Sequence, residues 1–409
     1  MSSLNPILVN TLEKQGGAAR AVRRLHKGLC NRGIESRFLV QQRSTTDSTV
    51  IGPTGSNRQR LAKISYYLNH LPTIPSILTN QTELFSLNWL PTRTVRQINK
   101  LDGTIVHLHW ISGFLRPEEI QRIEAPVVWT LHDMWPFTGG CHYAGNCTRY
   151  ETECQACPQL VGSIKNDLSA WLWDRKKESW TDLDLTVVAP STWLAECATE
   201  STLLGDQQIK VISNGVDTNI YSPVEIDLGR AELGLPQDDN LVLFGGDFSS
   251  ERKGSDLFKS SLNEMDKSDM TVVLFGGSSK DRLSDANVSV IDFGYVSEEH
   301  LRTLFAVVDV TVVPSRQDNY PNTILESMAS GTPCVAFNIG GIPDMITDGE
   351  TGYLAQPFNP TDLANGIQWL TQNNERYDAV AEAAREYVLN NCRIEDVTNS
   401  YVSLYKSIK

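Results

Sequence analysis

Asp318 and Glu326 stand eight residues apart in the run 313–341, VPSRQDNYPNTILESMASGTPCVAFNIGG, with Asn322 and Thr323 between them. The run reads as a strand end at 310–314, a polar loop, a helix opening near Asn322, a Gly-Thr-Pro stop, a strand at 333–337 and a Gly-Gly turn. In an open α/β sheet, ligands bind at the carboxyl ends of parallel strands. The first N–H groups of a helix starting there, those of Asn322 and Thr323, are placed to receive phosphate oxygens. Ionised carboxylates only accept hydrogen bonds, so two of them beside a phosphate cradle suit sugar or ribose hydroxyls joined to a diphosphate. The plain alternative is an acid favoured by the helix dipole at Glu326 and an ordinary loop residue at Asp318.

Other residues fit the same chemistry. Arg252 and Lys253, in GGDFSSERKGSD, precede a helix and are cations suited to a diphosphate; solvated surface charge is the alternative. Gly16-Gly17 forms a turn between a strand at 7–10 and a helix, where glycine lets a ligand approach the backbone. His132 stands at the carboxyl end of a strand, followed by Asp133, whereas His107 and His109 alternate on one strand face and read as satisfied core histidines. Cys141, Cys147, Cys154 and Cys157 fall within seventeen residues. Four clustered thiols in a cytoplasmic chain suggest a structural zinc site, closed to chemistry, with reduced thiols or two adventitious pairs as the alternative.

The elements that position these residues make an α/β protein. At 409 residues two domains are expected, with a break in the turn-rich segment after residue 212: an N-terminal domain over 1–212 and a C-terminal domain over 213–392. In the first, strands at 7–10, 104–110, 127–132 and 185–191 alternate with helices. In the second, strands at 241–246, 271–277, 288–294, 308–314 and 333–337 alternate with helices beginning near Gly254, Ser297 and Asn322, the pattern of a parallel sheet. Helical sequence from about 361 ends in a tail, 393–409, expected to return to the first domain.

Net charge is −13, divided as 22 Lys and Arg against 19 Asp and Glu in residues 1–212, and 14 against 30 in the remainder. An acidic chain argues against nucleic acid as partner, while the basic first half suits an anionic membrane or substrate. Residues 56–70, SNRQRLAKISYYLNH, mix Arg58, Arg60 and Lys63 with Leu61, Ile64, Tyr66, Tyr67 and Leu68, either an amphipathic helix on a membrane surface or a domain helix with a solvated basic face. The start, MSSLNPILVN, runs straight into a strand, and no eighteen-residue apolar run occurs. A cytoplasmic protein is expected, in peripheral contact with the inner face of the membrane at most.

In order along nearly the whole chain, Gly16-Gly17, Thr130-Leu131-His132-Asp133, Pro190-Ser191, Asn214-Gly215-Val216-Asp217, Arg252-Lys253-Gly254, the run from Asp318 to Glu326, Gly331-Thr332-Pro333 and Gly340-Gly341 resemble the retaining glycosyltransferases of family four. The resemblance implies the GT-B fold of two facing Rossmann-like domains, with a nucleotide-sugar donor held mainly by the second and the acceptor, a glycan or lipid-linked oligosaccharide, by the first. It implies ribose hydroxyls on Glu326, the donor sugar on Asp318, diphosphate on Asn322 and Thr323 with Gly17 closing from the other domain, leaving-group charge on Arg252 and Lys253, and donor sugar and acceptor at His132. No cofactor is implied for catalysis. The family usually has Glu where this chain has Asp318, and a phosphate arginine where it has Asp247, so Arg252 stands in for that arginine. Two other functions stay open on this scaffold: a nucleotide-sugar epimerase, and a non-catalytic partner of a glycosyltransferase.

Overall fold

Short apolar runs bounded by turn residues become the strands of two separate parallel sheets in the computed structural model. It describes residues 4–78, 84–162, 164–246, 248, 250–277, 283 and 286–409, without the side chain of Ile77; Asp247 lies outside the described residues. The chain divides into two compact units, one of Met1–Gly215 with Val397–Lys409 and one of Val216–Asp396.

The first unit holds β1 (Pro6–Leu12), β2 (Arg37–Gln42), β3 (Val50–Ile51), β4 (Ile105–Leu108), β5 (Val127–Thr130), β6 (Leu185–Ala189) and β7 (Gln208–Val211). They form one sheet in the order β3-β2-β1-β4-β5-β6-β7, parallel at every pairing. Its helices are α1 (Gly17–Asn31), α2 (Ser56–His70), α3 (Ile74–Leu78), α4 (Thr94–Lys100), α5 (Pro117–Ile120), α6 (Leu168–Trp180) and α7 (Thr192–Glu200). Strands buried on both faces favour continuous apolar runs, which is why β1 opens PILV without polar alternation; its buried Asn10 and Thr11 are hydrogen-bonded to Leu12, Trp110 and Ser112. Successive residues then enter different cores: Ile7 and Val9 pack with Leu108 and Trp129 on one face, Leu8 with Val22, Phe38 and Val128 on the other.

The second unit holds α8 (Ile226–Leu233), β8 (Asn240–Gly245), α9 (Ser255–Leu262), β9 (Met270–Phe275), β10 (Ser289–Asp292), α10 (Glu298–Val307), β11 (Val310–Val313), α11 (Asn322–Ala329), β12 (Cys334–Phe337), β13 (Gly352–Ala355), α12 (Pro360–Thr371) and α13 (Asn374–Asn391). Its six strands run parallel in the order β10-β9-β8-β11-β12-β13.

Helix α14 (Ile394–Ile408) belongs, from Val397 on, to the first unit, where Val397, Tyr401, Leu404 and Tyr405 join the core that contains Leu8. Tyr405 Oη lies 2.6 Å from His107 Nδ1, and Thr130 Oγ1 lies 2.7 Å from His107 Nε2 and 3.0 Å from Tyr401 Oη. His107 is therefore a satisfied core histidine.

Four strands escape the sequence reading. β3 has two residues, β7 is a partly exposed edge strand just before the segment read as linker, and β2 and β13 are brief runs beside turns. Pairing with a neighbour, more than local pattern, makes them strands.

Candidate functional site

In the second sheet the chain runs outward from β8 through β9 to β10, then returns to β11 and runs the other way to β13. The reversal between β8 and β11 is the position at which open α/β sheets bind ligands. The helices that follow these two strands, α9 and α11, begin at Gly254 and Pro321, neither of which supplies a side-chain cap. Elsewhere in this unit Ser297, Asn359 and Asn373 cap α10, α12 and α13 through their side chains, while α8, away from the switch point, also has no side-chain cap. The helix ends at the switch point thus present their N–H groups without a capping side chain, where an anion is favoured. In the first unit the order reverses between β1 and β4, and α1 begins there at exposed Gly16 and Gly17, also without a side-chain cap.

The loops around the β8/β11 switch point bring three of the anticipated residues together. Lys253 Nζ donates to Asp318 Oδ2 at 2.7 Å, Arg252 NH1 stands 3.4 Å from the same oxygen, and Ser315 Oγ donates to it at 3.1 Å. Arg252 NH1 also donates to the carbonyl of Gln317 at 2.9 Å. Burial alone would raise the Asp318 carboxyl, but the Lys253 ammonium, the Arg252 guanidinium and the bonds from Lys253 and Ser315 outweigh it and hold the group at about 2. Asp318 is therefore an anion at neutral pH that fixes both cations.

Two glycines permit this closeness. Gly254 has φ +70°, and a Cβ there would lie 1.8 Å from the Pro314 carbonyl oxygen; Gly340 has φ +53°, and its Cβ would lie 2.1 Å from the Asp318 carbonyl oxygen. Arg316 adds a bidentate pair to Asp256, at 2.7 and 2.6 Å, that ties the loop to the first turn of α9.

Asn322 and Thr323 open α11, the first buried and the second half-buried, and Glu326 follows one turn later with no exposed surface. Ser315 was not singled out beforehand, whereas Gly340 was, as part of the Gly340-Gly341 turn. Ser315 carries no sequence signal beyond its place in the loop.

In the first unit His132 keeps part of its surface, and its Nε2 lies 3.1 Å from Nδ1 of His109, whose ring is stacked against it. Burial pushes His132 down to about 4 despite the opposing charge of Asp133, so it is a neutral imidazole near pH 7. His109, read as core, is thus the residue against which His132 is set. Asp133 pairs with His142, Nδ1 to Oδ2 at 2.6 Å, and accepts from Trp110 Nε1 at 3.0 Å. His142 lies inside the cysteine-rich run and only the fold brings it to Asp133.

The four clustered cysteines line one small cavity of about 20 Å³, and all eight cysteines of the chain are free. Among the described residues no three His, Cys, Asp or Glu side chains already stand in metal-binding geometry.

The family model for Glycosyltransferase Family 4 matches residues 15–220, and that for Glycosyl transferases group 1 matches residues 225–387. N-acetyl-alpha-D-glucosaminyl L-malate synthase of Bacillus anthracis is 22% identical over 50% of this chain and 55% of its own length, so the chain spans little more than half of that relative. An Escherichia coli protein provisionally named a colanic acid biosynthesis glycosyl transferase is 23% identical over 81% of this chain and 83% of its own. Among solved structures, Anabaena HepE in complex with UDP and glucose superposes with a TM-score of 0.66 at 16% identity, covering 99% of this chain and all of that one. With both of its units matched in sequence and its two parallel sheets matched in structure, the chain belongs to glycosyltransferase family 4 and has the GT-B fold.

Proposed function

We propose that this protein is a retaining glycosyltransferase that moves a sugar from a nucleoside-diphosphate donor to a hydroxyl of a glycan or lipid-linked oligosaccharide in surface polysaccharide synthesis. The observation that carries the reading is the β8/β11 switch point, where Arg252 and Lys253 are held by Asp318 between two helices without N-terminal side-chain caps. Family membership, the UDP and glucose named with HepE, and the colanic acid role named for the Escherichia coli relative support it.

In this reading the N–H groups of Asn322 and Thr323 take the diphosphate, Glu326 takes the ribose hydroxyls, and Asp318 both orients Lys253 and meets the sugar. Glu326 is buried, so ribose must reach it by displacing the groups that cover it. The acceptor oxygen bonds to the anomeric carbon on the face from which the diphosphate leaves, the bond from that carbon to the phosphate oxygen breaks, and the departing oxygen takes the acceptor's proton. Configuration is retained. Negative charge that develops on the leaving group meets Arg252, Lys253 and the helix ends, which fill the electrostatic role of a divalent ion. His132 and Gly16-Gly17, in the first unit, are assigned to sugar and acceptor placement and to the diphosphate respectively.

An acceptor on a lipid would bring the protein to the cytoplasmic face of a membrane. Leu61, Ile64, Leu68 and Leu71, spaced for one helical face, are between 41% and 65% exposed, beside the exposed cations Arg58, Arg60 and Lys63. Among the described residues no helix is long and apolar enough to cross a membrane.

The experiment that tests the proposal is nucleotide release from labelled donor sugars, with and without a lipid-extract or oligosaccharide acceptor. Release that depends on acceptor, with an axial or equatorial linkage unchanged from the donor, is expected. Conversion of the donor sugar without acceptor, or no turnover of any donor, would overturn it.

A further inference from the structure

Between β5 and α6 lie residues 131–167, which contain no strand and no helix longer than three residues among those described. Segments of that length without regular structure are uncommon inside compact domains. Yet residues 131–142 are almost wholly buried, and Tyr150, Cys154, Cys157 and Leu160 join the same core. Backbone that is buried but belongs to no sheet or helix needs another tie.

Three observations locate that tie. Cys141, Cys147, Cys154 and Cys157 all border the cavity of about 20 Å³, room for one water or one ion and too small for a polynuclear cluster. The sulfur of Cys154 accepts the backbone N–H of Gly139 at 3.1 Å, and Cys157 is fixed by its own N–H, which donates to Asp167 Oδ2 at 2.7 Å while Asp167 caps α6. Beside the segment lies Lys176 of α6, with no exposed surface. Its Nζ donates to the carbonyls of Trp135 and, at 2.9 Å, Thr138, and sits 3.7 Å from the centre of the Trp135 ring, with no described carboxylate as an ion-pair partner. An ammonium so placed suits a neighbouring centre of net negative charge.

We propose that Cys141, Cys147, Cys154 and Cys157 bind one zinc ion through four thiolates, a structural centre that folds residues 131–167. The thiols border the cavity without yet standing at coordination distance, so the ion draws them inward as it binds. One zinc ion and four thiols give one tetrathiolate centre of charge −2 and four released protons, with Lys176 supplying one compensating positive charge. All four positions are filled by sulfur, so the centre takes no part in sugar transfer, and it stands or falls apart from the donor-site reading. It also places His142, one residue from Cys141, where it meets Asp133.

The test is the metal content of the full-length protein purified without added metal, joined to a titration with a mercurial that reports released metal. One zinc per chain, no iron, and release of that zinc in step with four mercaptide bonds are expected. Cobalt substitution should add a thiolate-to-metal charge-transfer band and a tetrahedral d–d envelope. Cys157→Ser should bind zinc substoichiometrically; if that variant fails to fold, the wild-type metal count and titration decide alone. A chain free of metal whose four thiols react readily in the native state, a disulfide between any two of them, or bound iron would overturn the proposal.

Discussion

Asp318→Asn keeps the shape of the side chain and removes its charge, leaving Lys253 and Arg252 without the anion that faces them. Asp318 is 5% exposed, with its carboxyl at about 2 in the fold, against about 3.9 in an unfolded chain. A carboxylate depressed in that direction adds about 2 to 3 kcal/mol to folding at neutral pH. Lys253 and Arg252 keep 27% and 20% of their side-chain surface. Water therefore recovers part of the loss, and about 2 kcal/mol remains. In a unit of this size that lowers the melting temperature by about 4 to 8 °C.

The sign follows from the direction of the shift. A depressed carboxyl stabilises the fold above its unfolded value, and the contribution disappears as pH falls from about 4 to about 2. Urea denaturation of wild type and variant at pH 7, 5 and 3 should show a full gap at pH 7 and 5 and a narrower one at pH 3. Calorimetry adds a second reading: cations released from Asp318 should bind a nucleoside diphosphate at least as tightly as in wild type, while sugar transfer is lost. A gap below about 0.5 kcal/mol at pH 7 would refute the ion-pair argument, since buried charged pairs cost more than that to break. A gap that widens in acid would refute it too.

Gly340→Ala should cost about 2 kcal/mol or more in thermal melting, because its Cβ falls 2.1 Å from the Asp318 carbonyl oxygen at a positive φ; an unchanged melting temperature would mean the loop gives way without cost. Burial holds His26 and His132 at about 4 and His107 and His109 well below their ordinary value, so all four are neutral in the fold and charge on unfolding below about pH 6.5. Stability of the first unit should be full above pH 6.5 and fall toward pH 4 by about 1.4 kcal/mol per pH unit for each such group, less steeply in His26→Gln; melting that ignores pH between 7 and 5 would contradict this. Co-sedimentation with anionic vesicles should weaken as salt rises and be lost in a Leu61→Asp, Ile64→Asp double variant; equal binding to neutral vesicles, or an unaffected variant, would remove the membrane surface from residues 58–71.

Legibility from sequence followed the physics of each element. Parallel strands buried on both faces announce themselves as apolar runs, and the loop-helix pattern around Asp318 located the switch point because a helix start and a strand end are both local signals. The pairing of Lys253 with Asp318 is not local: the two lie on loops after β8 and β11, adjacent in the sheet but 65 residues apart in the chain. The reading placed Lys253 at the diphosphate and Asp318 at the donor sugar, and the structure adds that the acid grips the base. His109 was hidden for the same reason, since it follows the end of β4 buried in the core and only the next strand's end supplies His132. Asp133 with His142 was hidden inside a cysteine-rich run whose spacing drew attention to sulfur. Helix α2 was ambiguous by composition, and exposure of Leu61, Ile64 and Leu68 is a fact of packing that composition does not contain.

The most direct measurement is calorimetric titration of UDP, GDP and ADP into the full-length protein and into Lys253→Ala and Glu326→Ala variants shown to be folded by circular dichroism. One nucleoside diphosphate should bind wild type, and each variant should lose about tenfold or more of that affinity, the worth of a contact to a charged group. No binding by any of the three, or affinity unchanged in both variants, would contradict a donor site at the β8/β11 switch point.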